Sequence, residues 1–238
     1  MLEAIDIEKA YGTEQVLSGL NFKLAEHEML SILGRSGSGK TTLLKILAGL
    51  EYPDGGQVLL QGKDMSPVPP HRRDIVYLYQ EPLLFPHLDV FENVAFGLRL
   101  RKRPAAEVKK RVQEMLDNLE LPEQARKMPG QLSGGQKQRV AFGRALIINP
   151  KVLLLDEPFG ALDTETRNSM QELLKRIARD FAITALFVTH GLKEALVMGD
   201  RIGLMEKGQL KVFDTKKAFI EDTDTGVQAE LDFWRRIG

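Results

Sequence analysis

The segment Gly34-Arg35-Ser36-Gly37-Ser38-Gly39-Lys40-Thr41 fits the pattern G-x-x-x-x-G-K-[ST]. It follows the apolar run Met29–Leu33 and precedes Leu43, Leu44, Ile46 and Leu47, an apolar set at helical spacing. A strand before and a helix after is the setting this pattern needs to hold phosphate. Glycines let the backbone curl until successive N–H groups point inward and form an anion nest. The helix that begins near Gly39 brings its positive dipole end to the same place. Lys40 is expected to reach the β- and γ-phosphates of a nucleotide, and the Thr41 hydroxyl to ligate Mg²⁺. The bland alternative is a glycine-rich turn with a chance lysine.

A second acidic segment, Lys151–Pro158, reads K-V-L-L-L-D-E-P. Asp156 ends an apolar strand, so its carboxylate emerges at the strand's C-terminal edge, where open α/β sheets place ligands. Asp156 can orient Mg²⁺ through its water shell, and the adjacent Glu157 can polarise a water that attacks the γ-phosphate. Two such carboxylates can also be a solvated strand cap. The phosphate loop on the same chain favours the chemical reading.

The elements that position these groups follow from pattern. Leu2–Ile7, Val16–Leu24 and Glu28–Leu33 read as strands, with a break at Tyr11-Gly12. Gly39–Leu50 reads as a helix, Pro53–Gly56 as a turn, and Gln57–Leu60 and Ile75–Gln80 as strands. Phe91–Leu100 and Ala105–Leu121 read as helices. Val108, Val112, Met115, Leu116 and Leu119 fall on one face of the latter. A helix over Arg139–Ile148 stops at Asn149-Pro150. Strands follow at Val152–Leu155 and Thr184–Thr189, helices at Thr164–Asp180 and Leu192–Met198, and a hairpin over Arg201–Phe213. The result is an α/β domain interrupted by a helical insertion near 84–150.

Composition removes several classes. The chain of 238 residues carries 33 basic and 33 acidic residues, so no basic footprint suggests nucleic acid. With 43% hydrophobic and 28% charged residues it is no acidic disordered chain. There are no cysteines, which excludes disulfides, thiolate metal sites and cysteine nucleophiles. No apolar run reaches the roughly 18–20 residues of a membrane helix. The start MLEAIDIEKAYG lacks a basic start and an apolar signal core. The product is expected in the cytosol, with any membrane span supplied by another chain.

Leu132-Ser133-Gly134-Gly135-Gln136 then makes the reading specific. The sequence from about residue 2 to 215 resembles the nucleotide-binding subunit of ATP-binding-cassette (ABC) transporters. Its elements occur in the family's order: Tyr11, Gly34–Thr41, Gln80, Leu132–Gln136, Val152–Pro158, Ala161-Leu162-Asp163 and His190. The resemblance implies an α/β fold. It has a P-loop NTPase core, an N-terminal antiparallel β subdomain and a helical insertion subdomain. These form a single domain over 1–238, with core about 1–83 and 151–215, insertion about 84–150 and a tail at 216–238.

It also implies roles, each carried residue by residue. Tyr11 offers a π-face to adenine, and Val16 packs beside the base. Gly34, Arg35, Ser36, Gly37, Ser38, Gly39, Lys40, Thr41 and Thr42 hold ATP. Gln80 binds Mg²⁺ or the attacking water on a loop that moves, Asp156 serves the metal, and His190 bonds the γ-phosphate. Glu157, His190, Lys40 and Gln80 form the catalytic set. Ser133, Gly134, Gly135 and Gln136 cap the γ-phosphate held by a second subunit, and Asp163 couples the two sites. The implied assembly is a head-to-tail homodimer, or a pseudo-symmetric heterodimer, closed by two ATP molecules. Gly191, Gly160 and Tyr79 depart from residues common in the family, and none removes a catalytic group.

Gln80–Leu98 resembles importer subunits that work with an extracytoplasmic substrate-binding protein, nearest the polyamine, iron, sulfate, molybdate and thiamine branch. Exposed Leu83, Leu84, Phe85 and Phe91 would receive a permease helix, the alternative being that they form the insertion's core. Arg99, Arg101, Lys102 and Arg103 are read as a solvated face, and His27, His71 and His87 as structural. The implied activity is ATP hydrolysis coupled to transport, peripheral on the inner face of the cell membrane. The competing reading is a soluble non-transport ABC ATPase of DNA repair or translation. The interval from Thr41 to Leu132 shows no sustained heptads of the coiled coil such proteins carry. Relatives in the importer branch often add a C-terminal β-domain. The end at Gly238 leads to the expectation of no such domain here. A short helix or two is expected around Phe219, Leu231, Phe233 and Trp234.

Overall fold

The computed structural model describes residues 1–228. The chain opens with strands β1 (Leu2–Tyr11), β2 (Glu14–Leu24) and β3 (Met29–Leu33), helix α1 (Lys40–Ala48), and strands β4 (Gly55–Leu60) and β5 (Lys63–Asp64). Strand β6 (Ile75–Leu78), helices α2 (Val90–Leu100), α3 (Ala105–Asn118) and α4 (Gly134–Leu146), strand β7 (Val152–Asp156) and helix α5 (Thr164–Asp180) follow. It closes with β8 (Ala185–Thr189), α6 (Leu192–Met198), β9 (Arg201–Glu206), β10 (Gln209–Phe213) and α7 (Lys216–Glu221). These elements group into two compact units. One is Met1–Arg73 with the described part of Thr184–Gly238, and the other is Asp74–Ile183.

The first unit holds an antiparallel sheet in the order β2-β1-β4-β5. Burial alternates along β2, so one face is packed and the other wet. Its second sheet segment runs β10-β9-β3-β8, with β3 parallel to both β8 and β9. Strand β8 is buried at every position and β3 at all but its last, which fits their mostly apolar sequences, with Ser31 and Thr189 the buried polar exceptions. Helix α1 ends at Gly49, whose φ of 77° is the left-handed cap that glycine accepts without strain. Arg73, only 4% exposed, closes that end. Its Nη1 donates to the carbonyls of Ile46 (3.0 Å) and Leu47 (3.1 Å), and its Nε to that of Val68 (2.9 Å). Burial pulls the guanidinium pKa down, while the negative end of the helix dipole favours its charge.

The second unit pairs β6 with β7 in parallel, Ile75 opposite Val152 and Leu78 opposite Leu155. Val108, Val112, Met115, Leu116 and Leu119 are all buried, as the helical stripe of α3 predicts. Asn93 of α2, fully buried, donates to the carbonyls of Phe85, Leu88 and Asp89 and accepts the Phe85 N–H. It thereby pins the loop between β6 and α2 to the helix that follows. Helix α4 starts at Gly134, earlier than the pattern suggested, because Ser133 caps it well enough to carry two glycines in the first turn. Gly135 is required by packing: a Cβ there would stand 2.6 Å from Thr166 Cγ2 of α5.

One surface expectation changes. Of Leu83, Leu84, Phe85 and Phe91 only Leu83 is exposed, at 54%. Phe85 packs on Phe96 with 4.5 Å between ring centroids and lies under the Arg144 guanidinium, and Arg126 covers Phe91. His27, His71 and His87 are exposed. Arg99, Arg101, Lys102 and Arg103 are exposed, as a solvated face requires. In the tail, Phe219 of α7 is buried against Phe213, Ile202 and Leu192. Leu231, Phe233 and Trp234 lie outside the described residues.

Candidate functional site

In the first unit the phosphate-type loop leaves β3 at Leu33, which is paired with Thr189 of β8. The Gly34 N–H donates to the Thr189 carbonyl at 3.2 Å. Gly34 admits no side chain: a Cβ would lie 2.6 Å from the Met205 carbonyl oxygen and 2.7 Å from Ser38 Oγ. Gly37 (φ 80°) and Gly39 (φ 102°) hold left-handed conformations that curl the loop. Lys40 is only 5% exposed, and its Nζ donates to the carbonyls of Gly34 (2.7 Å) and Arg35 (2.9 Å). Its charge therefore sits inside the loop. The buried Ser38 Oγ has no hydrogen-bond partner, an orphan that a phosphate oxygen would satisfy. Helix α1 begins on Gly39 with no side-chain cap and no acidic residue in its first turn. Arg35, Ser36, Gly37 and Thr41 are exposed, and Thr42 is half-buried.

Val16 stands beside this loop, its carbonyl oxygen 2.9 Å from where a Gly39 Cβ would be. Tyr11, at the end of β1, is 48% exposed, with Lys9 Nζ 5.3 Å from its ring centroid. His190 follows β8 and is exposed. Its flanks are tied down: Thr189 Oγ1 donates to Glu194 (2.6 Å) and accepts the Gly191 N–H (3.0 Å). A glycine at 191 leaves α6 without a side-chain cap.

In the second unit Asp156 is the last residue of β7 and is 8% exposed. Tyr77 of β6 donates its hydroxyl to Asp156 Oδ2 at 2.5 Å. Burial first, and the carboxylate second, push the phenol pKa well above its usual range. Glu157 has a φ of 43°, a turn that re-aims the chain just past the strand end. Its carbonyl accepts the Gly160 N–H at 3.0 Å. Gln80, exposed beyond β6, places Nε2 2.8 Å from where a Gly160 Cβ would be. Gln80 and the Glu157–Gly160 turn thus share one small space that a serine at 160 would crowd. Ser133 and Gln136 form their own cluster. Ser133 Oγ accepts the Gln136 N–H (3.2 Å) and Gln136 Oε1 accepts the Ser133 N–H (3.0 Å). A Cβ at Gly134 would lie 3.8 Å from Leu162 Cδ2. Asp163 caps α5 by accepting the Thr166 N–H (3.0 Å), which holds its carboxyl below the usual range.

Tyr77 and Thr189 are functional candidates that pattern reading passed over. A tyrosine within an otherwise apolar strand was the available signal, since a buried phenol must find a partner. Among the described residues no group of three or more His, Cys, Asp or Glu side chains is arranged to hold a metal. Asp156 in the second unit and Thr41 in the first each carry the oxygen donors that Mg²⁺ prefers.

Comparison with known proteins identifies the family. The family model described as "ABC transporter" matches residues 17–160. The chain is 48% identical over 223 residues to the spermidine/putrescine import ATP-binding protein PotA of Thermobifida fusca, covering 92% of this chain and 58% of that protein. It is 47% identical over 214 residues to the sulfate/thiosulfate import ATP-binding protein CysA of Methylococcus capsulatus, covering 88% and 62%. The chain thus spans about three-fifths of the length of the curated relatives it matches. The dimeric structure of MJ0796, a bacterial ABC transporter cassette, superposes with a TM-score of 0.78 at 35% identity, over 89% of this chain and 97% of that one. The same cassette is also known as a dimer in a post-hydrolysis state bound to ADP and Pi, with the same score and coverage. With the glycine loop, the strand-end carboxylates and the capped glycine pair in place, the chain belongs to the ABC transporter family of ATP-binding cassettes.

Proposed function

We propose that this chain is the ATP-hydrolysing subunit of a membrane importer, driving a permease by ATP-dependent closure of a head-to-tail dimer. The observation that carries the reading is the loop 34–41: a nearly buried lysine charge within a curl of glycines, beside an orphaned Ser38 hydroxyl. Such a site lacks an anion with several oxygens, and a nucleotide phosphate chain supplies one. Tyr11 would stack on the base and Val16 pack beside it.

Lys40 exchanges its bonds to Gly34 and Arg35 for the β- and γ-phosphate oxygens, so the loop is preorganised around a charge already in place. Thr41 and Asp156 would hold Mg²⁺, which when bound neutralises charge on the β- and γ-phosphates. Gln80 orients the attacking water, Glu157 polarises it, and His190 steadies the γ-phosphate. Ser133, Gly134, Gly135 and Gln136 of a second copy, or of a near-identical subunit, cap that phosphate from the opposite side. ATP then stabilises the closed dimer over the open one, and its hydrolysis removes that bias.

The names of PotA and CysA, both import ATP-binding proteins, support an importer; an extracytoplasmic binding protein that feeds it is part of the proposal. One of those relatives serves a polycation and the other an anion, so the shared cassette chemistry does not choose the cargo. Among the described residues no helix is long and apolar enough to cross a membrane, and permease subunits would supply the span. The chain would work from the inner face of the membrane, without nucleic acid.

Glu157→Gln tests this directly. Hydrolysis should fall at least about a hundredfold, while ATP binding persists and gel filtration with ATP shows a trapped dimer. Wild-type turnover in that variant removes Glu157 from its role. Purification in gentle detergent should recover a membrane subunit; recovering a ribosome or a DNA-repair complex instead would overturn the transporter reading.

A further inference from the structure

Tyr77 sits in β6 among Ile75, Val76 and Leu78, three residues before Gln80. Its hydroxyl reaches Asp156 Oδ2 at 2.5 Å, a short charge-assisted bond. Its ring meets that of Tyr79 edge to face, with centroids 4.4 Å apart and planes at 89°. Tyr79 is exposed and is followed directly by Gln80. Tyr77 thus touches, on one side, the carboxylate that ends β7 and, on the other, the residue that begins the Gln80 loop.

A carboxylate left to itself turns about its last torsion and offers either oxygen to a neighbour. The Tyr77 hydroxyl commits Oδ2 and so sets the direction of Oδ1. The neutral phenol donates this bond and the carboxylate accepts it.

We propose that Tyr77 is a positioning residue for the metal, its hydroxyl fixing the Asp156 carboxylate that faces the water shell of ATP-bound Mg²⁺. Its ring ties that orientation to the strand end bearing Gln80. The inference rests on the Mg²⁺–ATP reading above and deepens it.

Tyr77→Phe removes only the hydroxyl and keeps the ring contact with Tyr79. With ATP affinity measured in EDTA and across a Mg²⁺ titration, the variant should match wild type without metal and need about tenfold more Mg²⁺ for half-maximal tightening. The electron paramagnetic resonance spectrum of bound Mn²⁺–ATP should broaden, reporting a less fixed metal environment. In an Asp156→Asn background the same change should add nothing. Tyr77→Met, which keeps apolar volume, carries the same expectation should Tyr77→Phe fold poorly. A variant with wild-type Mg²⁺ requirement and spectrum overturns the proposal while leaving ATP binding intact. A wild-type protein whose ATP affinity ignores Mg²⁺ overturns both this proposal and the function on which it rests.

Discussion

The starts of α1 and α4 are built on opposite plans. Helix α1 begins on Gly39 in a left-handed conformation, with no side-chain cap and no acid in the first turn. Helix α4 begins on Ser133, whose hydroxyl and backbone N–H are both engaged by Gln136 in a reciprocal capping box. The first leaves its positive end to an outside anion and keeps a lysine charge inside the loop. The second satisfies itself and stands without a ligand. A bare end is costly in the empty protein and binds strongly; a capped end is stable when empty and must share its donors with whatever it meets. Under the proposed function these plans correspond to primary phosphate capture at α1 and a secondary closure contact at α4.

The sharpest way to break this contrast is Lys40→Ala. Removing a charged donor is worth about 1.5–3 kcal/mol, so ATP affinity should fall at least about tenfold by fluorescent-nucleotide titration. Hydrolysis should fall about a hundredfold or more. Unchanged affinity would mean that the α1 end is no phosphate site. A smaller effect, on stability, is expected from Gly39→Ala. The φ of 102° disfavours any side chain and a Cβ would crowd the Val16 carbonyl, so denaturant unfolding should show a loss of about 1–3 kcal/mol. The smallest is Ser133→Ala, where losing one cap should cost about 1 kcal/mol. Free-protein ATP affinity should hold there while ATP-driven dimerisation weakens. An equal affinity loss at both ends would erase the distinction between them.

Much of this was legible in residue order. The unbroken apolar runs Val152–Leu155 and Ala185–Val188 are buried strands, and the α3 stripe lies inside, because burial period follows element geometry. The glycine-rich curl and the strand end at Asp156 were readable because glycine spacing and the end of an apolar run are visible in residue order. Tyr77 was not, since nothing local says which buried polar group meets it; parallel pairing of β6 with β7 decides that. The partial covering of Phe85 was likewise hidden, because its partners Phe96 and Arg144 come from α2 and α4. The true start of α4 was masked by two glycines that propensity counts against a helix and that Ser133 and the close approach of Thr166 explain.

Arg73 grips two carbonyls at the far end of α1 and the Val68 carbonyl beyond β5 with one flat, forked cation. Lysine, a point charge on a flexible stem, cannot span that arrangement, so an exchange that preserves charge would still let the last turn fray. Homologous cassettes drifting at this position should therefore tolerate loss of the contact together with its helix cap more readily than the apparently mild swap, and a sequence survey would find the two residues changing as a pair.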